Sequence, residues 1–522
     1  MKTLLLFSMI FLLTITTIAQ ESVVVSDNVP NTESMYYFHG RKVARTPNGL
    51  LMVVWTTPSG QGGQINYSIY DKDFQIWSPP ATLSSAAYQA KLPAIASDEL
   101  GNIHACWQEK ATSAGNFVIM YSKFNGITWT APVKVSLYDS KACEEASIET
   151  DSNNNVWVVY NNDGAGVGNE YVYVVKSTNN GATWSSTATA LSSSGSIGSS
   201  TTNGRCTLAA GPNGKMVAIW HDGQPWDNNR REIFFNQYDG TTWKGEVMIS
   251  DTTTVDRSAS WYPTVAIDKD ANIYALYHTN DNPANTPPTR YVIFQKKTWD
   301  QQWSASTSKI LHSETAGDLQ STSAVCDEDG VIHFAFRKDL PVDTTGIDGI
   351  FYMYSKDKGE TWSQQIRLGR ENHDGGYVSM ANRVRKSYGI DIAFRESVTP
   401  LVNDESTQAI LYTNIPYSLI TDVEDEIALP SEFELLANYP NPFNPSTVIE
   451  YKIAGAGFVK LSIYDILGKE VSTIVNEFMQ PGSYKISWNG VDSNNKHVAS
   501  GVYLARLKTE KNTKTIKMQL LK

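Results

Sequence analysis

Six short turns that end in tryptophan, each set among apolar runs of strand length, divide most of the chain into units of nearly constant size. After about residue 430 the pattern changes to shorter apolar/polar alternation behind a proline-rich stretch. Together these features predict an all-β fold: a seven-bladed β-propeller (six blades being the alternative) followed by a small immunoglobulin-like β-sandwich. The tryptophans are Trp77, Trp129, Trp184, Trp243, Trp303 and Trp362, spaced by 52, 55, 59, 60 and 59 residues. A period of this size marks a propeller or a solenoid.

The 522-residue chain carries 43 Lys and Arg against 54 Asp and Glu, a net charge of -11. This acidic balance argues against a nucleic-acid binder held by its overall field. Aromatics make up 11%, ample apolar surface for packed cores and unlike a disordered chain. Four cysteines in this length exclude a disulfide-built scaffold.

In chain order, residues 1–20 read as a signal peptide, with Lys2 before the apolar run from Leu4 to Leu13 and a cleavage region near Thr17–Gln20. No later stretch reads as a membrane span. Residues 21–418 form the repeat. In each unit an apolar strand precedes an Asp/Asn/Gly turn, as in Thr264-Val265-Ala266-Ile267-Asp268. A second strand then ends in an aromatic residue: Trp107, Tyr160, Trp220 or Tyr277. A third strand, the tryptophan turn and a short fourth strand complete the blade. The seventh unit, near residues 378–412, lacks the turn. Val23-Val24-Val25-Ser26 is positioned in sequence to supply its outer strand and close the ring. Residues 419–432 read as an acidic linker and 433–522 as the sandwich, where prolines 440, 442 and 445 forbid a helix.

The unit Ser355-Lys356-Asp357-Lys358-Gly359-Glu360-Thr361-Trp362 resembles the Asp-box, or BNR, repeat of sialidase-like propellers, and Ser177–Trp184 is similar with Asn179 for the Asp. In the repeat the polar side chain closes the turn, glycine permits the backbone angles and tryptophan packs between sheets. It implies fold rather than catalysis. The elements Asn438-Tyr439-Pro440-Asn441-Pro442-Phe443, Tyr464–Val471 and Gly501-Val502-Tyr503 resemble the type A C-terminal sorting domain of the type IX secretion system. That resemblance implies export across the outer membrane, and a secreted or surface-attached product.

Function in a propeller belongs at the mouth of its channel, which receives the starts of the innermost strands and the ends of the second strands. The candidate ligand-binding residues there are His39, Arg41, Lys91, Glu145, Arg205, Arg337, Tyr377 and Arg395. Arginine suits a carboxylate or sulfate through paired hydrogen bonds. His221, His278 and Tyr262 are the candidate acid–base groups. His104 and His333 occupy equivalent repeat positions and read as structural, and Asp327-Glu328-Asp329-Gly330 reads as turn chemistry. The buried-strand cysteines Cys206 and Cys326 read as inert thiols. No metal-ligand spacing, phosphate loop or nucleophile elbow occurs, so neither metal nor cofactor is expected. The Phe-Arg-Ile-Pro opening of sialidases is absent: Phe38-His39-Gly40-Arg41-Lys42-Val43 displaces the arginine and lacks the proline. Seven-bladed polysaccharide lyases offer another analogy, using His or Tyr as base and acid. The expected function is a carbohydrate-binding propeller for anionic glycans, with a sialidase-like glycosidase or polysaccharide lyase as the alternative.

Overall fold

The computed structural model describes residues 22–521 except 31–34, 36–39, 58–62, 85–88, 139, 164–169, 194–203, 225–226, 251–259, 281–288, 305–306, 316–319, 340–347, 371, 401–406, 421–432, 454–456, 480–481, 494–495 and 510–511. The expected signal peptide, His39 and most of the expected linker therefore lie outside the described residues. The chain divides into two compact units, Met1–Ile420 and Thr421–Lys522.

The first unit contains seven antiparallel sheets of four or five strands. Their innermost strands are Val43–Arg45, Gln89–Ser97, Cys143–Thr150, Gly204–Ala210, Ser260–Ile267, Gln320–Cys326 and Gly375–Met380, here numbered as blades 1 to 7. Each innermost strand packs against the next, and that of blade 7 returns to that of blade 1. Blade 7 takes its outer strand from the start of the chain. Val23–Pro30 pairs antiparallel with Thr407–Ile415, Val23 lying opposite Tyr412. The closure expected from sequence is present, and it covers the outer edge of Thr407–Ile415.

The tryptophan turns hold neighbouring blades together. Each indole meets an aromatic ring of the preceding blade: Trp129 on Tyr67 at 5.6 Å, Trp184 on Tyr121 at 4.8 Å, Trp243 on Trp157 at 6.1 Å, Trp303 on Phe235 at 5.1 Å and Trp362 on Phe294 at 5.4 Å. Trp77 meets Tyr412 of blade 7 at 5.2 Å, which carries the pattern across the seam. All six contacts are edge-to-face. Five of these indoles bury an N–H without a conventional acceptor among the described residues.

Two of the turns that precede these indoles share one hydrogen-bond pattern. Ser355 Oγ donates to Asp357 Oδ1 at 2.9 Å and accepts from Gly359 N at 2.8 Å, while Thr361 N donates to Asp357 Oδ1 at 2.8 Å. In blade 3, Ser177, Asn179, Gly181 and Thr183 make the same set. Glycine is required twice over at residue 359. Its φ is +80°, and an added Cβ would lie 2.1 Å from Phe294 Cζ of the preceding blade.

At the same end of the blades, where the inner strand turns into the second, Asp98, Asp151, Asp268 and Asp327 close equivalent turns by accepting two backbone N–H groups each. The side chain six residues on completes each: His104, Trp157, Tyr274 and His333. The aspartate turn at 327–330 and the two histidines are thus structural, as expected. Burial pushes the His104 imidazole below its usual range against the opposing pull of Asp98. Burial likewise raises the Cys206 and Cys326 thiols well above their usual range.

The second unit is a sandwich of a three-stranded and a four-stranded sheet. Trp488, 1% exposed, anchors its core against Phe443 and Tyr503.

Replacing Gly359 by Ala is expected to destabilise the first unit by about 2–3 kcal/mol, because overpacking and left-handed strain act together. Chemical denaturation monitored by tryptophan fluorescence measures this. Gly126→Ala, whose Cβ would meet nothing within 4 Å, is expected to cost about 1 kcal/mol from its positive φ alone.

Candidate functional site

Mouth of the propeller

The register of the inner pair in each blade fixes the mouth. Lys91 lies opposite Gln108, Glu144 opposite Asn161, Gly204 opposite His221, Trp261 opposite His278, Gln320 opposite Arg337, and Gly376 opposite Arg395. These six pairs are equivalent. Directly after each, the inner strand bulges, and five of the bulges put a non-glycine residue in the left-handed region: Leu92, Glu145, Tyr262, Ser321 and Tyr377, with φ of +49° to +57°. A recurrent bulge of this kind re-aims side chains at a rim, and strain of this kind collects at functional positions. The second-strand residue after the terminal aromatic therefore forms a belt with one polar side chain per blade. From blade 1 to blade 7 it reads Thr56, Gln108, Asn161, His221, His278, Arg337 and Arg395.

The sequence-predicted residues separate on this frame. His221, His278, Arg337 and Arg395 all belong to the belt. His278 meets the Tyr262 ring edge-to-face at 5.8 Å, so two of the three acid–base candidates touch. Arg205 lies in the inner strand of blade 4 beside the Gly204–His221 pair; its side chain is outside the description. Glu145 is the bulge residue and not the strand partner of Asn161, yet its Oε2 accepts from Asn161 Nδ2 at 3.0 Å.

Three candidates take up other work. Arg41 leaves the rim and crosses the channel. Its guanidinium donates to the carbonyls of Met380, Ala381 and Ala324 and lies 3.6 Å from Glu149. It thereby braces blades 1, 3, 6 and 7, and a small void of about 50 Å³ remains beside it. Tyr377 is buried in the core between blades 7 and 1, and its ring is a platform for Arg395, whose guanidinium carbon stands 4.1 Å above it. A Cβ on Gly376 would fall 2.7 Å from Arg395 Nε, so the bare glycine makes room for this arginine. Arg337 forms an ion pair with Asp348, whose backbone N–H donates to Asp374 Oδ1 at 2.9 Å.

The mouth is therefore less basic than its arginine count suggests. Arg41 is balanced by Glu149 and Arg337 by Asp348. Arg370, which the sequence reading did not single out, pairs with Glu396 at 2.6 Å. Burial pushes the Glu396 carboxyl up despite that neighbour. Lys91 and Lys110 are half-buried cations that stand 5.0 and 4.9 Å from the centre of the Phe117 ring. Lys110, Asp348, Asp374 and Arg370 were not found from sequence. Only the pairing register could have flagged Lys110, which lies opposite Gln89 one turn of the pleat beyond Gln108. Among the described residues, no group of three or more His, Cys, Asp or Glu side chains could hold a metal ion.

Comparison with known proteins

The FlgD Ig-like domain model matches residues 446–513, within the second unit. No curated protein matches the chain. Among solved structures, a polysaccharide lyase PL25 ulvan lyase bound to -[GlcA(1-4)Rha3S]- superposes with a TM-score of 0.50 at 11% identity, covering 76% of this chain and 96% of that one. The polysaccharide lyase Uly1 gives 0.50 at 10% identity, covering 76% and 99%. An α-L-arabinanase of Penicillium chrysogenum gives 0.41 at 11% identity, covering 76% and 98%. At these identities the likeness is one of fold: an all-β chain of the propeller type with an immunoglobulin-like C-terminal domain.

The Arg337–Asp348 pair gives a direct test of bracing. Arg337→Ala leaves a buried carboxylate without its cation and is expected to lower stability by about 3–5 kcal/mol, whereas the double change with Asp348→Ala recovers much of it. Thermal and denaturant unfolding of both single variants and the double variant measures the coupling.

Proposed function

We propose that the first unit is a glycan-engaging propeller whose mouth binds an anionic polysaccharide. The observation that carries this reading is the row of strained bulges with part-exposed side chains such as Glu145 and Tyr262, set on a buried belt of one polar side chain per blade from Thr56 to Arg395. Lys91 and Lys110 contribute half-buried positive charge, and Trp261 and Tyr262 supply half-buried aromatic faces on which a sugar ring can rest. Binding without catalysis is the first reading. The turns at 177–184 and 355–362 support membership among Asp-box, or BNR, propellers, and the displaced Phe38–Val43 stretch speaks against sialidase chemistry.

A lyase is the second reading, favoured by the Tyr262–His278 contact with His221 on the adjacent blade. In such a step one group removes the C5 proton of a uronate. The C4–O bond then breaks as the 4,5 double bond forms, and a second group returns a proton to the leaving oxygen. The lyase fold of two structural relatives is compatible with this and does not establish it.

The motifs at 438–443, 464–471 and 501–503 support export through the type IX secretion machinery, with residues 1–20 serving as the signal for passage into the periplasm. The product would then be secreted or attached to the cell surface.

Incubation of the protein with a panel of acidic polysaccharides separates the readings. Retained binding with no new reducing ends and no absorbance from unsaturated bonds is expected for the module. Unsaturated product identifies a lyase, and reducing ends alone a hydrolase. The Lys91→Ala and Lys110→Ala changes are each expected to weaken binding about fivefold, with stronger loss at low salt. Undiminished binding in the double variant removes the anionic assignment.

Deletion of residues 430–522 is expected to leave the propeller folded and retained in the periplasm of the producing cell. Cell fractionation reads this directly, and normal export of the truncated chain refutes the sorting role.

A further inference from the structure

A groove away from the mouth lies between blades 3 and 4, at the end where the tryptophan turns sit. It encloses about 630 Å³, within the size range of ordinary ligand pockets. Its aromatic wall is a triad. Trp157 lies 4.8 Å from Tyr238 and 6.1 Å from Trp243, and Tyr238 lies 5.6 Å from Trp243. Lys176 Nζ stands 4.3 Å over the Trp157 ring and 5.3 Å from that of Tyr238, so the ammonium is already engaged by the wall. Glu246 forms the polar side. One of its oxygens, Oε2, accepts from Ser193 N at 2.7 Å and Ser193 Oγ at 2.5 Å. The other, Oε1, is buried with no hydrogen-bond partner.

We infer that this groove binds a segment of a neutral carbohydrate chain, at a site separate from the mouth. Oε1 is shielded although the Glu246 side chain as a whole is only half-buried, so a ligand that covers the groove must offer this oxygen a donor. A sugar hydroxyl supplies that donor. A carboxylate or sulfate group supplies none and brings a second negative charge against Glu246. An aliphatic ligand would cover the rings and leave the oxygen unmet. A pyranose satisfies both walls, because its C–H face can lie on Trp243 and Tyr238 while its hydroxyls project from the edge. Threonines 189 and 241 line the same groove and add hydroxyl partners.

The neighbouring groove between blades 4 and 5, of about 510 Å³, provides an internal contrast. It also carries aromatic rings, from Phe235, Trp299 and Trp303. There the polar groups find each other: Lys297 Nζ donates to Gln237 Oε1 at 2.6 Å and to Gln301 O at 3.0 Å. The unmet acceptor distinguishes the groove between blades 3 and 4.

The test is affinity electrophoresis of the full chain through gels containing xylan, laminarin, galactomannan or agarose. At least one of these neutral polymers is expected to retard the protein. Glu246→Ala and Thr189→Trp, which remove the acceptor and fill the groove, are each expected to weaken that retention about tenfold or more. Both leave the Trp243–Trp157 wedge in place, whereas Trp243→Ala alone could act by loosening the blades. Lys91→Ala/Lys110→Ala is expected to leave this retention unchanged, which keeps it distinct from anionic binding at the mouth. Absence of retardation by all four polymers, or retention undiminished in both groove variants, overturns the inference. So does loss of retention on adding a mixed peptide digest but not the matching soluble oligosaccharide.

Discussion

Everything in the first unit depends on the seam where Val23–Pro30 pairs with Thr407–Ile415. A ring of sheets has no stable open form, because each blade buries one face only against its neighbours. Three interactions meet at the seam. The backbone ladder joins the two chain ends. Trp77 of blade 1 lies on Tyr412 of blade 7. Arg45 of blade 1 donates twice to Asp391 of blade 7, each at 2.7 Å, and Tyr412 donates to the same carboxylate at 2.6 Å. The charged pair is buried but compensated on both sides, which keeps its desolvation from dominating. The ladder, the wedge and the ion pair are mutually supporting, and the six equivalent mouth pairs inherit their spacing from that closure.

The same repeat does opposite work at its two ends. At the turn end, the hydrogen-bonding side chains are spent on the backbone. Asp98, Asp151, Asp268 and Asp327 hold turns, and His104, Trp157, Tyr274 and His333 hold the aspartates. At the mouth, the equivalent positions differ from blade to blade: threonine, glutamine, asparagine, two histidines and two arginines. Uniformity where the backbone is being closed, and variety where it is not, is what a scaffold carrying a ligand site should show. The strained bulges fall on the varied side.

Sequence and structure agree best where the causes are local. The turn Ser355–Trp362 is determined by residues within eight positions of one another, and its hydrogen bonds could be anticipated. The roles of His104 and His333 followed from their place in the repeat. Arg41, Arg337 and Tyr377 could not be read in this way. Glu149 is 108 residues from Arg41, and Asp348 is reached only through the pairing of two strands across a loop. A cation counted from sequence has no known partner, so the sum of arginines overstated the positive charge at the mouth. Lys110 was missed for the converse reason. It looks like an ordinary strand-end lysine until Phe117 brings it beside Lys91.

By itself the sequence determined the repeat, the strand order within each blade, the part of the chain that closes the ring and the separate C-terminal sandwich. These follow from hydrophobic periodicity and turn chemistry, both of which act over short stretches of chain. Only the tertiary structure decided which charged groups are neutralised, which aromatic rings brace the blades and which remain at a surface. It also exposed the groove beside Glu246, whose walls come from two blades. Those outcomes depend on distances between residues remote in sequence, and electrostatic and packing energies are set by such distances rather than by composition.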